Sequence, residues 1–174
     1  MKIVQSTVAD LEMIFSFYDL AVAYQKTKFE KHWLPFEPKM VSREIAEGLQ
    51  FKIMEEDEVA AVFAITYSDP EIWGEKNNDP AIYIHRIVTH PRFRGRGYVK
   101  AIINWAKEHG RRQGKQFIRM DTWGDNQLLI DYYVHSGFRF LGTVTPEASD
   151  ALPAHYSAIF LALFEIDISA ESDQ

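Results

Sequence analysis

The sequence contains no cysteine among its 174 residues. A chain without cysteine has no disulfide framework, no thiolate nucleophile and no cysteine-ligated metal site, so these classes of protein are excluded. It also lacks an apolar run of about eighteen residues, the length that a membrane-spanning helix requires. The first residues, Met1–Gln5, contain no apolar signal core, which predicts a cytoplasmic protein without a membrane partner.

The composition is that of a folded and acidic protein. Hydrophobic residues make up 47% of the chain, and 19 Lys and Arg stand against 25 Asp and Glu, giving a net charge of −6. This length and hydrophobic content predict one compact domain over residues 1–168, followed by a polar tail at 169–174. An acidic chain is a poor nucleic-acid binder, so no nucleic-acid partner is expected.

Acidic residues are absent from one internal segment, Pro80–Lys107. The basic residues inside it are Arg86, Arg92, Arg94, Arg96, Lys100 and Lys107. A basic segment within an acidic protein indicates a local anion site rather than a surface for polyanions. A solvated basic face without a ligand is the alternative.

Hydrophobic periodicity predicts seven strands and four helices. The strands are expected at 3–5, 51–54, 59–67, 81–89, 117–122, 138–144 and 156–168. The helices are expected after a Thr7/Asp10 capping box, from Ser42 to Gly48, from Gly97 to Gln113 and from Asn126 to Ser136. The segment Ser68–Pro80 is interpreted as a loop anchored by Trp73. This order indicates a mixed α/β domain with one central sheet.

A glycine-containing turn joins the strand Ala81–Thr89 to the next helix. Gly95 and Gly97 allow backbone amides to converge, and the helix N-terminus adds partial positive charge, so the turn predicts a phosphate site. The Rossmann pattern fails because Lys100 stands at its third glycine, and the Walker pattern fails because no Gly-Lys-Ser/Thr follows. A flexible glycine turn with solvated arginines is the alternative.

The segment from Thr89 to Val99 resembles the coenzyme-A-binding signature of the Gcn5-related N-acetyltransferase (GNAT) superfamily, Gln/Arg-x-x-Gly-x-Gly/Ala. Arg94 and Gly97 match the signature, and Val99 stands at its final small position. A downstream segment is similar to the family pattern Asn-x-x-Ala-x-x-Leu-Tyr-x-x-x-Gly-Phe. Its residues are Asn126, Leu129, Tyr132, Tyr133, Gly137 and Phe138.

The resemblance implies a GNAT fold of the α+β type, with a mixed central sheet of six to seven strands flanked by about four helices. It implies that two strands, Ile82–Thr89 and Phe117–Thr122, splay apart at the cofactor site. It also implies that acetyl-CoA is the co-substrate. The residues implied to hold it are the backbone of Ile87, Val88 and Thr89, the amides of Arg94, Gly95, Arg96, Gly97, Tyr98 and Val99, and Asn126.

The implied activity is transfer of an acetyl group from acetyl-CoA to a primary amine of a small molecule or peptide. The amine attacks the thioester directly in a ternary complex, and no metal is expected. By position, Tyr133 is the general acid that protonates the leaving thiolate, with Tyr132 as the alternative.

The general base is less defined, because the family often carries a carboxylate on the strand before the turn and Ala81–Thr89 has none. His85 is the available base on that strand, since its reference pKa near 6.5 suits proton uptake. Strand alternation places His85, Ile87 and Thr89 on one face. Glu71, Glu75 and Asp121 are the alternatives.

The acceptor side has weaker signals. Aromatic residues at helical spacing usually belong to the core. The candidates for the acceptor pocket are nevertheless five aromatic residues and the two residues around the start of the last predicted strand: Tyr18, Tyr24, Trp33, Phe36, Trp73, His155 and Tyr156. Two other functions stay open: an acyl-CoA-binding sensor without catalysis, and an RNA-binding domain using Arg92–Gly97. A homodimer is the assembly that the sequence leaves open.

Overall fold

The protein has a mixed α/β fold, seen here in a computed structural model that describes residues 1–147 and 160–169. The described strands are β1 Lys2–Gln5, β2 Gln50–Glu55, β3 Glu58–Thr66, β4 Ala81–Thr89, β5 Phe117–Trp123, β6 Arg139–Val144 and β7 Leu161–Asp167. The described α-helices are α1 Leu11–Lys28, α2 Pro38–Ala46, α3 Pro70–Trp73, α4 Tyr98–Arg112 and α5 Gln127–His135. The chain divides into two compact units.

The first unit combines Met1–Ile65 with Arg86–Tyr98. Its strands β1, β2 and β3 pair antiparallel, with Ile3 opposite Ile53 and Phe51 opposite Phe63. Its core includes residues from α1, the segment before α2, α2 itself and the strands: Ile14, Phe17, Tyr18, Phe36, Val41, Val62 and Val88. Burial of these apolar side chains is the main force that holds the helices of this unit in place.

The second unit combines Thr66–His85 with the chain from Val99 onward. Strand β4 pairs parallel with β5, and β7 pairs antiparallel with both β5 and β6. One of its buried clusters joins α3 to strands β4 and β7: Ile72, Trp73, Ala81, Tyr83, Leu161 and Leu163. This cluster fixes the segment that leads into β4.

In the sheet, neighbouring strands have the order β1-β2-β3-β4-β5-β7-β6. Strand β4 is divided between the units. Its residues up to His85 belong to the second unit, and its residues from Arg86 onward belong to the first unit. Its pairs with β5 run from Ala81 opposite Phe117 to Ile84 opposite Met120. The mixed seven-stranded sheet confirms the predicted fold class, whereas the single-domain assignment stays a prediction.

Local sequence signals set several boundaries correctly. Strand β4 has the predicted bounds, and the capping box forms, with the Thr7 amide donating to Asp10 Oδ2 at 2.7 Å. A short 3₁₀ turn, Val8–Asp10, then leads into α1. Asn126 caps α5 by accepting a hydrogen bond from the Leu129 amide. These features depend on neighbours in sequence, which is why the sequence predicts them.

Two predictions of local structure are wrong. Helix α2 begins at Pro38, so Ser42 lies inside the helix and does not cap it. The predicted loop Ser68–Pro80 contains α3 and the 3₁₀ turn Gly74–Asn78. Both helices begin at proline, whose fixed φ suits the first turn and whose missing amide costs nothing there. The last strand occupies Leu161–Asp167, and positions 156–159 lie outside the described residues.

Within residues 1–147 and 160–169, no helix combines the length and the apolar character that crossing a bilayer requires.

Candidate functional site

The turn between β4 and α4 has the backbone of an anion cradle. Gly95 and Gly97 have φ angles of +78° and +76°, in the left-handed region that glycine adopts without steric cost. A Cβ added at either position would meet no heavy atom within 4 Å, so the glycines serve conformation and leave open space above the turn. Helix α4 begins at Tyr98, so the amides of its first turn have no partner within the helix.

The basic residues around the cradle differ in how they are neutralised. Arg92 donates to both carboxylate oxygens of Glu58, at 2.7 and 2.6 Å. Arg94 lies over the ring of Tyr24 at 4.2 Å, and Arg96 lies 5.0 Å from the ring centroid of Phe93. Glu58 therefore neutralises Arg92, whereas Arg94 and Arg96 pack on aromatic rings and keep their positive charge beside the cradle.

Arg86 belongs to the interior of the first unit rather than to an anion site. Its guanidinium donates to Glu44 Oε2 at 2.6 Å and to the Tyr18 hydroxyl at 3.1 Å, and its side chain is 12% exposed. Its φ is +51°, which a non-glycine residue rarely adopts. An extended strand is interrupted at such a residue, so the predicted alternation does not continue from His85 to Ile87.

A second group of polar residues lies in the other unit. One ligand-type atom from each of Asp69, His85 and Asp121 lies within 4.8 Å of the others, and His85 Nε2 is 3.3 Å from Asp69 Oδ2. Ile84 and Met120 are partners in the parallel β4–β5 ladder, so His85 and Asp121 are the next residues of their two strands. This register brings together a predicted base and one of its predicted alternatives.

Asp69 is the member of this cluster that the sequence reading missed. It immediately precedes α3, and its carbonyl accepts the Trp73 amide at 3.0 Å. The signal was the pair Asp69–Pro70, since aspartate before a proline commonly starts a helix. Glu71 and Glu75, the other predicted bases, are exposed residues of the same segment.

Tyr133 is a half-buried residue of α5 in the same unit. Its ring lies 5.5 Å from that of Phe164 and 5.3 Å from that of Tyr132. Burial raises the pKa of the Tyr133 hydroxyl, and Tyr132 and Asp121 raise it further. The phenol therefore stays protonated at neutral pH, as a proton donor must.

The other predicted site residues are placed as follows. Ile87, Val88 and Thr89 follow the last β4 residue that pairs with β5, and only Val88 is buried. Tyr98 is also buried, and its hydroxyl donates to Glu55 Oε1 at 3.2 Å. Val99 is partly exposed in the first turn of α4.

The remaining predicted site residues are Asn126, Tyr132 and the candidates for the acceptor pocket. The side-chain oxygen of Asn126 is occupied by its cap, and Tyr132 is 48% exposed. Tyr18, Phe36 and Trp73 are buried core residues, whereas Trp33 is partly exposed and Tyr24 is exposed. His155 and Tyr156 lie outside the described residues.

Comparisons with known proteins agree with this geometry. The family model described as the acetyltransferase (GNAT) family matches residues 14–138. An uncharacterized N-acetyltransferase of Bacillus subtilis, YesJ, is 29% identical over 135 residues, which are 75% of this chain and 68% of the relative. A solved GNAT-family acetyltransferase from Listeria monocytogenes has a TM-score of 0.76 at 21% identity, covering 95% of this chain and 94% of its own. The structure of yncA from Salmonella typhimurium, solved with its cofactor acetyl-CoA, has a TM-score of 0.68 at 14% identity, covering 97% and 94%.

Proposed function

We propose that this chain, which belongs to the acetyltransferase (GNAT) family, transfers an acetyl group from acetyl-CoA to a primary amine by direct attack in a ternary complex. Membership confirms the resemblance inferred from the sequence and makes the protein an acetyltransferase, with acetyl-CoA as its co-substrate. The observation that carries the proposed mechanism is that the cluster of Asp69, His85 and Asp121 lies in the same unit as the half-buried Tyr133. A candidate base and a protonated acid thus occupy one compact unit.

The cradle fits the pyrophosphate of acetyl-CoA. Gly95 and Gly97 leave open space above a turn whose amides lead into α4, and the flanking Arg94 and Arg96 supply positive charge. We assign the pyrophosphate to the amides from Arg94 to Val99. The pantetheine arm is assigned to the backbone of Ile87, Val88 and Thr89, and a further contact to Asn126.

The proposed reaction needs two proton transfers from this chain. His85 accepts the proton that the amine must lose before its nitrogen can attack. As the carbon–nitrogen bond forms and the carbon–sulfur bond breaks, Tyr133 donates its proton to the leaving sulfur. No covalent enzyme intermediate is involved, which agrees with a chain that has no cysteine.

The acceptor that fits best is a cationic amine. The chain carries a net charge of −6, and Asp69 and Asp121 lie beside the proposed base. Negative charge around the base attracts an ammonium group and favours its binding over that of an anion.

The proposal is tested by measuring acetyl-CoA binding by calorimetry and then thiol release with a panel of amines. The panel contains spermidine, glucosamine and a lysine-containing peptide. We expect acetyl-CoA to bind and thiol to be released with at least one of these amines. Binding without thiol release from any amine would favour the alternative, an acyl-CoA-binding sensor.

Replacing Gly97 by alanine is expected to weaken acetyl-CoA binding about tenfold. A non-glycine residue in the left-handed region costs about 1–2 kcal/mol, and 1.4 kcal/mol corresponds to a factor of ten in affinity. The added methyl group meets no neighbour, so the free-energy cost is backbone strain at residue 97. The backbone relieves this strain by moving the amides that would bind the pyrophosphate. Calorimetric titration with acetyl-CoA measures the effect.

The matched control for this variant is Gly114→Ala. Gly114 has a φ of +65° and the same open surroundings, but it lies in the turn after α4. Both variants should lose similar thermal stability, and only Gly97→Ala should lose affinity for acetyl-CoA. Equal affinities of the two variants would contradict the assignment of the cradle.

A further inference from the structure

The carboxylate of Asp69 lies against His85, and its Oδ2 accepts no hydrogen bond from another described residue. Its side chain is 11% exposed, and Oδ2 lies 3.3 Å from His85 Nε2. Among the described residues, this buried oxygen has no hydrogen-bond partner. An ionised and buried oxygen without a donor is costly, so it favours a proton on the facing nitrogen.

The position of Asp69 is fixed by contacts that do not involve its carboxylate. Its amide donates to Asn77 Oδ1 at 2.5 Å, and Asn77 Nδ2 donates to Ser68 Oγ at 3.2 Å. Its carbonyl accepts the amide of Trp73, a buried residue whose ring lies 5.5 Å from that of Tyr83. The carboxylate is therefore held on a rigid support beside the imidazole.

We propose that Asp69 is a positioning residue, which fixes His85 in the tautomer that carries its proton on Nε2. This inference rests on the proposed role of His85 as the base. A neutral imidazole has one protonated nitrogen and one lone pair, so a proton held on Nε2 leaves the lone pair on Nδ1. Nδ1 is then the atom that accepts the proton of the amine.

The same contact stabilises the product of the proton transfer. When the ammonium proton moves to Nδ1, His85 becomes an imidazolium, and the Asp69 carboxylate at Nε2 pairs with the new positive charge. The proton then leaves to solvent. Asp121 adds a second negative charge in the same cluster.

The test is the tautomer of His85, which is measured without turnover. Long-range ¹H–¹⁵N spectra of histidine-labelled protein are recorded at rising pH until the ring ¹⁵N shifts stop changing, which marks the neutral imidazole. The His85 signals are identified by their loss in His85→Gln. We expect the Nε2–H form in the wild type and a large shift towards Nδ1–H in Asp69→Asn, because the amide can donate to Nε2.

Kinetics supply the second measurement, with the most active amine of the panel at saturating acetyl-CoA. Asp69→Asn should lower kcat about tenfold or more, because the Nδ1–H tautomer has no lone pair on Nδ1 to accept the proton of the amine. Its affinity for acetyl-CoA should not change. The control Glu108→Gln removes a 70% exposed carboxylate from helix α4 and should alter neither kcat nor the tautomer.

The outcomes separate this inference from the proposed function. An unchanged His85 tautomer in Asp69→Asn would refute the inference even if acetyl transfer occurs, and so would a changed tautomer with wild-type kcat. A wild type that releases no thiol with any amine would refute the proposed function, whatever the tautomer. Activity that EDTA abolishes and Zn²⁺ restores would make the cluster a metal site and overturn the inference as well.

Discussion

Replacing Tyr133 by phenylalanine is expected to lower kcat about 10²–10³-fold, the usual contribution of a positioned general acid. The substitution removes only the hydroxyl, and the remaining ring keeps its packing against Phe138 and Phe164. Without the hydroxyl the sulfur must leave as a thiolate that no side chain protonates, so the chemical step slows. Thiol release at saturating acetyl-CoA and amine measures kcat, and calorimetry should show unchanged acetyl-CoA affinity.

The neighbouring tyrosine supplies a matched control for this variant. Tyr132 is 48% exposed, and its ring lies 5.3 Å from that of Tyr133. Tyr132→Phe removes the same group from the same helix and should change kcat less than about threefold, as expected for an exposed side chain outside the reaction. A larger loss in Tyr132→Phe than in Tyr133→Phe would assign the acid to Tyr132. Near-wild-type activity of both would overturn the acid role altogether.

The pH dependence follows from the raised pKa of Tyr133. An unperturbed tyrosine loses its proton near pH 10, and burial with the neighbouring Tyr132 and Asp121 moves that loss to higher pH. The donor form is present below the raised pKa and is lost only as pH rises through it. Tyr133 should therefore cause no fall of kcat between about pH 7 and 9.5.

The cradle and the acid could be predicted because their signals are local in sequence. Two glycines, a proline and a row of arginines lie within ten residues of the end of β4, and the structure gives both glycines the positive φ that the turn requires. Tyr133 was indicated by the resemblance of the segment from Asn126 to Phe138 to the downstream pattern of the GNAT family. Their functional roles stay predictions.

The sequence could not predict the contacts that decide the chemistry around His85. Asp69 lies beside His85 at the start of a short helix, α3, in a segment that the sequence predicts to be a loop. Asp121 comes beside His85 only through the register of β4 with β5, which a single sequence does not reveal. The positive φ of Arg86 has no signal either, because the residue is not glycine.

Replacement of Arg119 is expected to change stability more than any other substitution considered. Its side chain is fully buried in the second unit. Arg119 lies opposite Tyr83 on β4 and opposite Glu165 on β7, and Arg139 on β6 continues the row by facing Glu165. The guanidinium donates to Glu165 Oε2 at 2.9 Å and to the Tyr83 hydroxyl at 3.3 Å. This arrangement pairs a buried cation with a buried carboxylate.

Arg119 also fastens the segment that carries Asp69. Its guanidinium donates to the Lys76 carbonyl at 2.6 Å and to Asp79, and it lies 4.9 Å from the ring centroid of Trp73. These contacts hold the chain between α3 and β4 against the sheet. Loss of Arg119 should therefore disturb the support of Asp69 as well as the charge balance of the interior.

Replacing Arg119 by methionine is expected to lower the free energy of unfolding by about 3–5 kcal/mol, because the buried Glu165 loses its buried partner and keeps only the exposed Arg139. Urea denaturation followed by circular dichroism measures this loss. Arg139→Met removes the other partner of Glu165, but Arg139 is 71% exposed, so its loss should cost less than about 1 kcal/mol.

A double replacement distinguishes the buried charge from the shape of the side chain. Arg119→Met combined with Glu165→Met removes both charges, and an apolar pair of similar volume often matches a buried ion pair in stability. The double variant should therefore be more stable than Arg119→Met, although the contacts to Lys76 and Asp79 are still missing. If the double variant is the less stable of the two, lost packing rather than the loss of the buried partner of Glu165 sets the cost. In that case the cross-strand side chains Tyr83, Arg119, Glu165 and Arg139 stabilise the unit through packing and not through charge.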